Sequence, residues 1–207
     1  MQFRRGWGLL ALLLAAGAVS APALAQQPPA ADTPAAPPAA AKPHKHKHAA
    51  EPAEAVAGGT KPTLLGQYGD WGAYTASPGG KKICFAIAKP SSSETNPPNR
   101  PRNPAYMFIS SRPGDKVSNE ISVIVGYPFK SSTEATLAVG SANFALYTQQ
   151  DGAWIKDAAE EPRLLEALRA SQSAVLRGSS AKGTRTTDIF SLKGLAQALD
   201  RSDKDCK

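Results

Sequence analysis

No histidine lies beyond His48. All three, His44, His46 and His48, fall within one five-residue stretch. This excludes a histidine triad, a buried multi-histidine metal site and a histidine general base from any folded domain further along. Cysteine is nearly as scarce: there are two, Cys84 and Cys206, and no C-x-x-C pair. No glycine-rich phosphate loop is present, because Gly79-Gly80 reads as part of a hairpin turn. The apolar run Leu9 to Val19 is 11 residues long, well short of the roughly 20 that span a bilayer.

What is there begins with an export signal. Arg4 and Arg5 form a positive start, Leu9 to Val19 the apolar centre, and Ala23-Leu24-Ala25 a small-residue cleavage site with Gln26 after it. The sequence predicts a signal peptide over 1–25, cleaved between Ala25 and Gln26. No cysteine follows that would mark a lipoprotein. The expected location is periplasmic or secreted, in a Gram-negative envelope. No transmembrane anchor is expected after cleavage, and the compartment is oxidising.

Residues 26–61 hold 12 alanines and 7 prolines, with Val56 as the only large aliphatic residue and no aromatic. Nothing here offsets the entropy of ordering the chain, so a disordered Ala/Pro-rich spacer is expected. Its tract Pro43 to His48 alternates histidine with lysine. Weak metal binding through neutral imidazoles is one reading. The intervening lysines disfavour it, and a solvated basic patch is preferred. Attraction to an anionic surface as the imidazoles charge below about 6.5 is a third.

A folded domain is expected over 62–207. It carries 18 Lys/Arg against 14 Asp/Glu, part of a chain total of +7. That mild, mixed charge is not a nucleic-acid footprint. Alternating or apolar runs predict strands over Tyr68–Thr75, Ile83–Ala88, Tyr106–Ser110, Ile121–Val125, Glu134–Val139, Asn143–Thr148, Ala153–Ile155, Ala174–Arg177 and Thr184–Phe190. Turn signals at Pro78-Gly79-Gly80, Gly140-Ser141 and Asp151-Gly152 punctuate them. The pattern is a mainly all-β antiparallel β-sandwich with two short α-helices. One helix starts near Glu160, with Pro162 in its first turn and Leu164, Leu165 and Leu168 as its stripe. The other starts near Ser191, with Leu192, Leu195, Ala196 and Leu199 at helical spacing. Lys89 to Pro104, KPSSSETNPPNRPRNP, reads as a long basic surface loop bearing Arg100 and Arg102.

Two cysteines in an exported chain most simply form one disulfide, Cys84 with Cys206. The rival, a reactive thiol, lacks a histidine to activate it. Catalytic candidates are thin. Ser179-Ser180-Ala181-Lys182 contains S-x-x-K, but in a Gly/Ser-rich segment and not at a helix start. Asp70, Asp115 and Glu120 have no spacing that joins them. No catalytic, cofactor or metal residue is therefore assigned.

Five segments carry a resemblance: Gly69-Asp70-Trp71, KICFAIAKP at Lys82–Pro90, FISSRPGDKVSNEISVIVGYPFK at Phe108–Lys130, SANFALYTQQDGAWI at Ser141–Ile155, and IFSLKGLAQALDRSDKDC at Ile189–Cys206. Together they resemble the invasion-associated locus B family across most of residues 64–206. The resemblance implies an exported envelope protein with an immunoglobulin-like β-sandwich, members being associated in intracellular pathogens with host-cell entry. Some members carry an extra cysteine after the first tryptophan. Here that stretch reads GAYTA, which leaves Cys206 as the partner of Cys84. The expectation is a non-enzymatic binding protein for an unknown envelope or host-surface protein, with no cofactor. The alternative is a structural or stress-support periplasmic protein without a specific ligand. Candidate contact residues are Arg100, Arg102, Tyr127 and Phe129. Tyr127 and Phe129 also fit a strand end packed on the core, and oligomeric state is left open.

Overall fold

The computed structural model describes residues 60–207. The signal segment, its Ala25/Gln26 cleavage site and the His44–His48 tract lie outside the described residues. Eleven strands form: β1 (Thr63–Tyr68), β2 (Trp71–Ala76), β3 (Ile83–Ala88), β4 (Ser92–Asn96), β5 (Tyr106–Arg112), β6 (Val117–Ile124), β7 (Ala135–Val139), β8 (Ala142–Gln149), β9 (Gly152–Ile155), β10 (Ser173–Ser179) and β11 (Arg185–Ser191). Helix α1 is Glu161–Ala170 and helix α2 is Leu195–Cys206.

All pairings are antiparallel, in the order β1-β2-β3-β5-β6-β9-β8-β7-β10-β11-β4. Pairing runs unbroken through all eleven strands, so the layers of the sandwich belong to one continuous sheet. That sheet folds back on itself. Trp71 in β2 donates its indole N–H to the carbonyl of Ser191 in β11, although these strands sit far apart in the order. The alternation that predicted the strands sorts residues onto the enclosed face. Ile121 and Val123 in β6, Leu137 and Val139 in β7, Phe144 and Leu146 in β8, and Ala174 and Leu176 in β10 are all buried in one core.

β3 is buried along its whole length. Ala86 and Ala88 join the main core, while Ile83, Phe85 and Ile87 join a second apolar cluster with Tyr74 and Phe108. Tyr74 stacks on Phe85 at 5.5 Å between ring centres. Helix α1 contributes Leu164 and Leu168 to the main core, and α2 contributes Leu195, Ala198 and Leu199. The C-terminal end of α2 is tied to β3 by the Cys84–Cys206 disulfide, with the Cα atoms 5.9 Å apart.

Three expectations are corrected. Tyr68–Thr75 is not one strand, because Gly69-Asp70 turns between β1 and β2. Gly69 takes φ +54°, a conformation that favours glycine. The second helix begins at Leu195 and not near Ser191, which ends β11. Its N-cap Gly194 has φ +93°, and a Cβ there would lie 1.9 Å from the Tyr68 carbonyl oxygen. Gly194 is therefore the joint between strand and helix, where no side chain fits. Finally, Lys89–Pro104 is not wholly a loop. Ser92–Asn96 forms β4 at the sheet edge against β11. An edge strand needs only backbone pairing on one side, so its polar side chains give no burial pattern to read.

Candidate ligand-binding pocket

Three chain segments meet at one end of the sheet around a cavity of about 750 Å³. They are the rest of the proline-rich loop, Pro97–Asn103, the β6–β7 connection Gly126–Pro128, and the β10–β11 hairpin Ser180–Thr184. Backbone hydrogen bonds hold them together. Asn103 N–H donates to Gly126 O at 3.1 Å, Ala181 N–H to Pro128 O at 2.8 Å and Lys130 N–H to Ser179 O at 2.9 Å. Gly126 has φ +73°, and a Cβ on it would lie 2.1 Å from the Asn103 carbonyl. Only glycine lets the loop come this close.

The lining residue Arg102 is anchored behind the cavity wall by Asp188, which is fully buried in β11. Arg102 pairs with both of its carboxylate oxygens, at 2.8 Å from Nη1 to Oδ2 and by a second bond from Nη2 to Oδ1. Ser93 donates to the same carboxylate at 2.6 Å, and Arg102 Nη2 donates back to the Ser93 hydroxyl at 2.9 Å. A buried carboxylate with this many donors is satisfied, and its partner is locked in place. The Arg102 guanidinium lies 5.8 Å from the Tyr127 ring centre. The Tyr127 hydroxyl shares a 2.5 Å hydrogen bond with Thr186. Burial pushes the Tyr127 phenol above its ordinary value. The Thr186 bond works against that, and the Asp188 charge adds to it.

Of the expected contact residues, the structure brings Arg100, Arg102 and Tyr127 to this one cavity. Phe129 is not a contact residue and takes the other reading, a strand end packed on the core. It is only 6% exposed and belongs to the core, where it packs edge-on against Tyr127 at 5.4 Å and supports it from behind. The sequence reading missed Lys182 as a lining residue, and it missed Asp188 and Ser93. Asp188 carries a legible signal: it shares the inward phase of β11 with Thr186 and Phe190, and an inward charge needs a partner. Nothing local marks Ser93.

The S-x-x-K pair does not assemble around one cavity. Lys182 lines the large cavity, whereas Ser179 lines a neighbouring one of about 500 Å³ with Glu94, Glu134, Arg177 and Arg185. Asp115 and Glu120 are held by Arg112, with Lys81 also on Asp115. Asp70 sits at the β1–β2 turn, its N–H donating to Lys193 O. No cluster of metal-ligating side chains exists among the described residues.

A family profile described as invasion associated locus B (IalB) protein matches residues 71–203. The chain belongs to the IalB family. The matched span includes Arg100, Arg102, Tyr127, Lys182 and Asp188, so the pocket lies within the family domain. Among solved structures, the chain is similar to the crystal structure of invasion associated protein B from Bartonella henselae. Identity is 18%, the TM-score is 0.48, and the match covers 67% of this chain and 94% of that one. No curated protein matches the chain.

Proposed function

We propose that this IalB-family chain is an exported, non-enzymatic binding protein of the cell envelope, with the loop–hairpin pocket as its contact site for an envelope or host-surface component. The observation that carries this is the pocket itself. Three sequence-distant segments build a concavity of about 750 Å³, within the range of small-ligand sites, with a wall held rigid by the Arg102–Asp188 pair. The polar groups at that wall are engaged with one another and are not arranged as nucleophile and base. The Cys84–Cys206 disulfide supports an oxidising compartment.

The test is a cross-linked pull-down from envelope fractions with residues 26–207 as bait, beside the same bait carrying Ala181→Trp. Ala181 is exposed on the cavity wall, so the indole fills the space without disturbing the core. A discrete partner captured by the first bait and lost from the second supports the proposal. Equal capture moves the contact elsewhere. Capture of nothing favours a structural envelope role.

A further inference from the structure

We infer that the pocket is an anion site whose ligand is a phosphomonoester carried on a sugar-sized body. This rests on the reading of the pocket as the binding site. Three cations line it, Arg100, Arg102 and Lys182, and no carboxylate does. Arg102 is neutralised by the buried Asp188 beneath it, so it contributes position and not net charge. Arg100 and Lys182 are different. Both are exposed, and neither has an ion pair among the described residues. They come from separate segments, the proline-rich loop and the β10–β11 hairpin.

Elsewhere on the surface, Lys156, Arg163 and Arg169 each have a carboxylate within reach, while Lys116, Lys130 and Lys193 do not; what sets Arg100 and Lys182 apart is that both line one cavity. In the pocket, two positive charges from separate segments line one concavity, and no carboxylate among the described residues pairs with either. A ligand of charge about −2 balances them, and a phosphomonoester carries close to that charge near neutral pH. Pro101 and Pro128 give the walls apolar surface for an uncharged body. The cavity's volume accommodates a body of one or two sugar rings. The phosphate could reach the site on a soluble sugar or on a glycolipid headgroup; the recognising chemistry is the same.

The test measures binding to residues 26–207 at low ionic strength, where exposed charges act at full range. The probes are glucose 6-phosphate, glucose, glucuronate and inorganic phosphate, plus vesicles with and without a lipid bearing a phosphorylated disaccharide headgroup. Glucose 6-phosphate is expected to bind more tightly than the other soluble probes. Arg100→Gln and Lys182→Gln should each weaken it roughly tenfold, the loss of one charge-assisted hydrogen bond, and Ala181→Trp should abolish it. Binding confined to the phosphorylated vesicles, with the same variant pattern, assigns the headgroup source. Glucose binding as tightly as its phosphate, indifference to the two charge variants, binding that survives Ala181→Trp, or no binding by any probe would each overturn the inference. A partner still captured by the 26–207 bait and lost with Ala181→Trp would then leave the pocket proposal standing alone.

Discussion

Trp71 Nε1 donates to the Ser191 carbonyl at 2.9 Å across 120 residues of sequence. One step away, Asp70 N–H donates to Lys193 O at 3.1 Å, and Gly194 lies against the Tyr68 carbonyl. The Gly69-Asp70-Trp71 and Phe190–Gly194 segments, read separately in the sequence, therefore form one clasp that holds the folded-over sheet shut.

Breaking that clasp has a defined cost. Trp71→Phe keeps an aromatic ring in the core but removes the indole donor to the Ser191 carbonyl and leaves a small void at a fully buried site. The expected loss is about 1–3 kcal/mol, read as a lower urea midpoint. Amide exchange at Asp70 should quicken in the same variant. An unchanged midpoint would show that the clasp is not a stabilising contact.

The Arg102–Asp188 pair should behave as a unit. Arg102→Leu strands a fully buried carboxylate and is expected to cost about 3–5 kcal/mol. The double variant Arg102→Leu/Asp188→Leu should recover much of that, because no charge is then left unpaired. Denaturant titration of the set checks it, and a double variant as unstable as the sum of the singles contradicts it.

Reduction should raise the intact mass by two hydrogens and leave Cys84 and Cys206 alkylatable, consistent with the single bridge. The bridge joins residues 122 apart, so the chain-entropy model sets an upper limit of about 4–5 kcal/mol on what a Cys84→Ala/Cys206→Ala variant loses. Fraying should begin at α2, the element that the bridge anchors.

Alkaline pH offers a separate check. Burial raises the phenol pKa of Tyr74 and Tyr127 above their ordinary value of 10.0. The folded chain thus holds these protons more tightly than the unfolded chain does. The resulting stability is fully present below pH 10 and is lost as the pH rises through the folded values. Phenolate absorbance should show ionisation extending above the ordinary phenol range, and Tyr127→Phe should remove part of that late rise and flatten the stability loss. A folded-state titration that coincides with that of the denatured chain would contradict this.

Much of the fold was legible along the chain. Ile121, Val123 and Val125 alternate inward as their spacing implied, and each is at most 1% exposed. Pro162 and the leucine stripe of α1 placed that helix within a residue of its true start. Legibility failed where the chain turns back on itself. Gly69 and Gly194 serve contacts with each other's neighbourhoods, and no local pattern shows that. β4 was missed because an edge strand of serine, glutamate, threonine and asparagine has no buried face.

The pocket divides in the same way. Arg100 and Arg102 stood out as the charges of an unusual loop, and Tyr127 as an aromatic beside a proline. That Lys182 joins the same cavity, and that Asp188 neutralises Arg102 and not Arg100, depend on distances between segments more than fifty residues apart. Side-chain period and turn chemistry are local, so the sequence by itself determined most of the strands and of their inward faces, the pairing of its only two cysteines and the family resemblance. Which strand ends meet, and hence which charges are balanced and which are left facing a cavity, was decided only when the sheet closed over its core, because electrostatic balance depends on proximity in space and not along the chain.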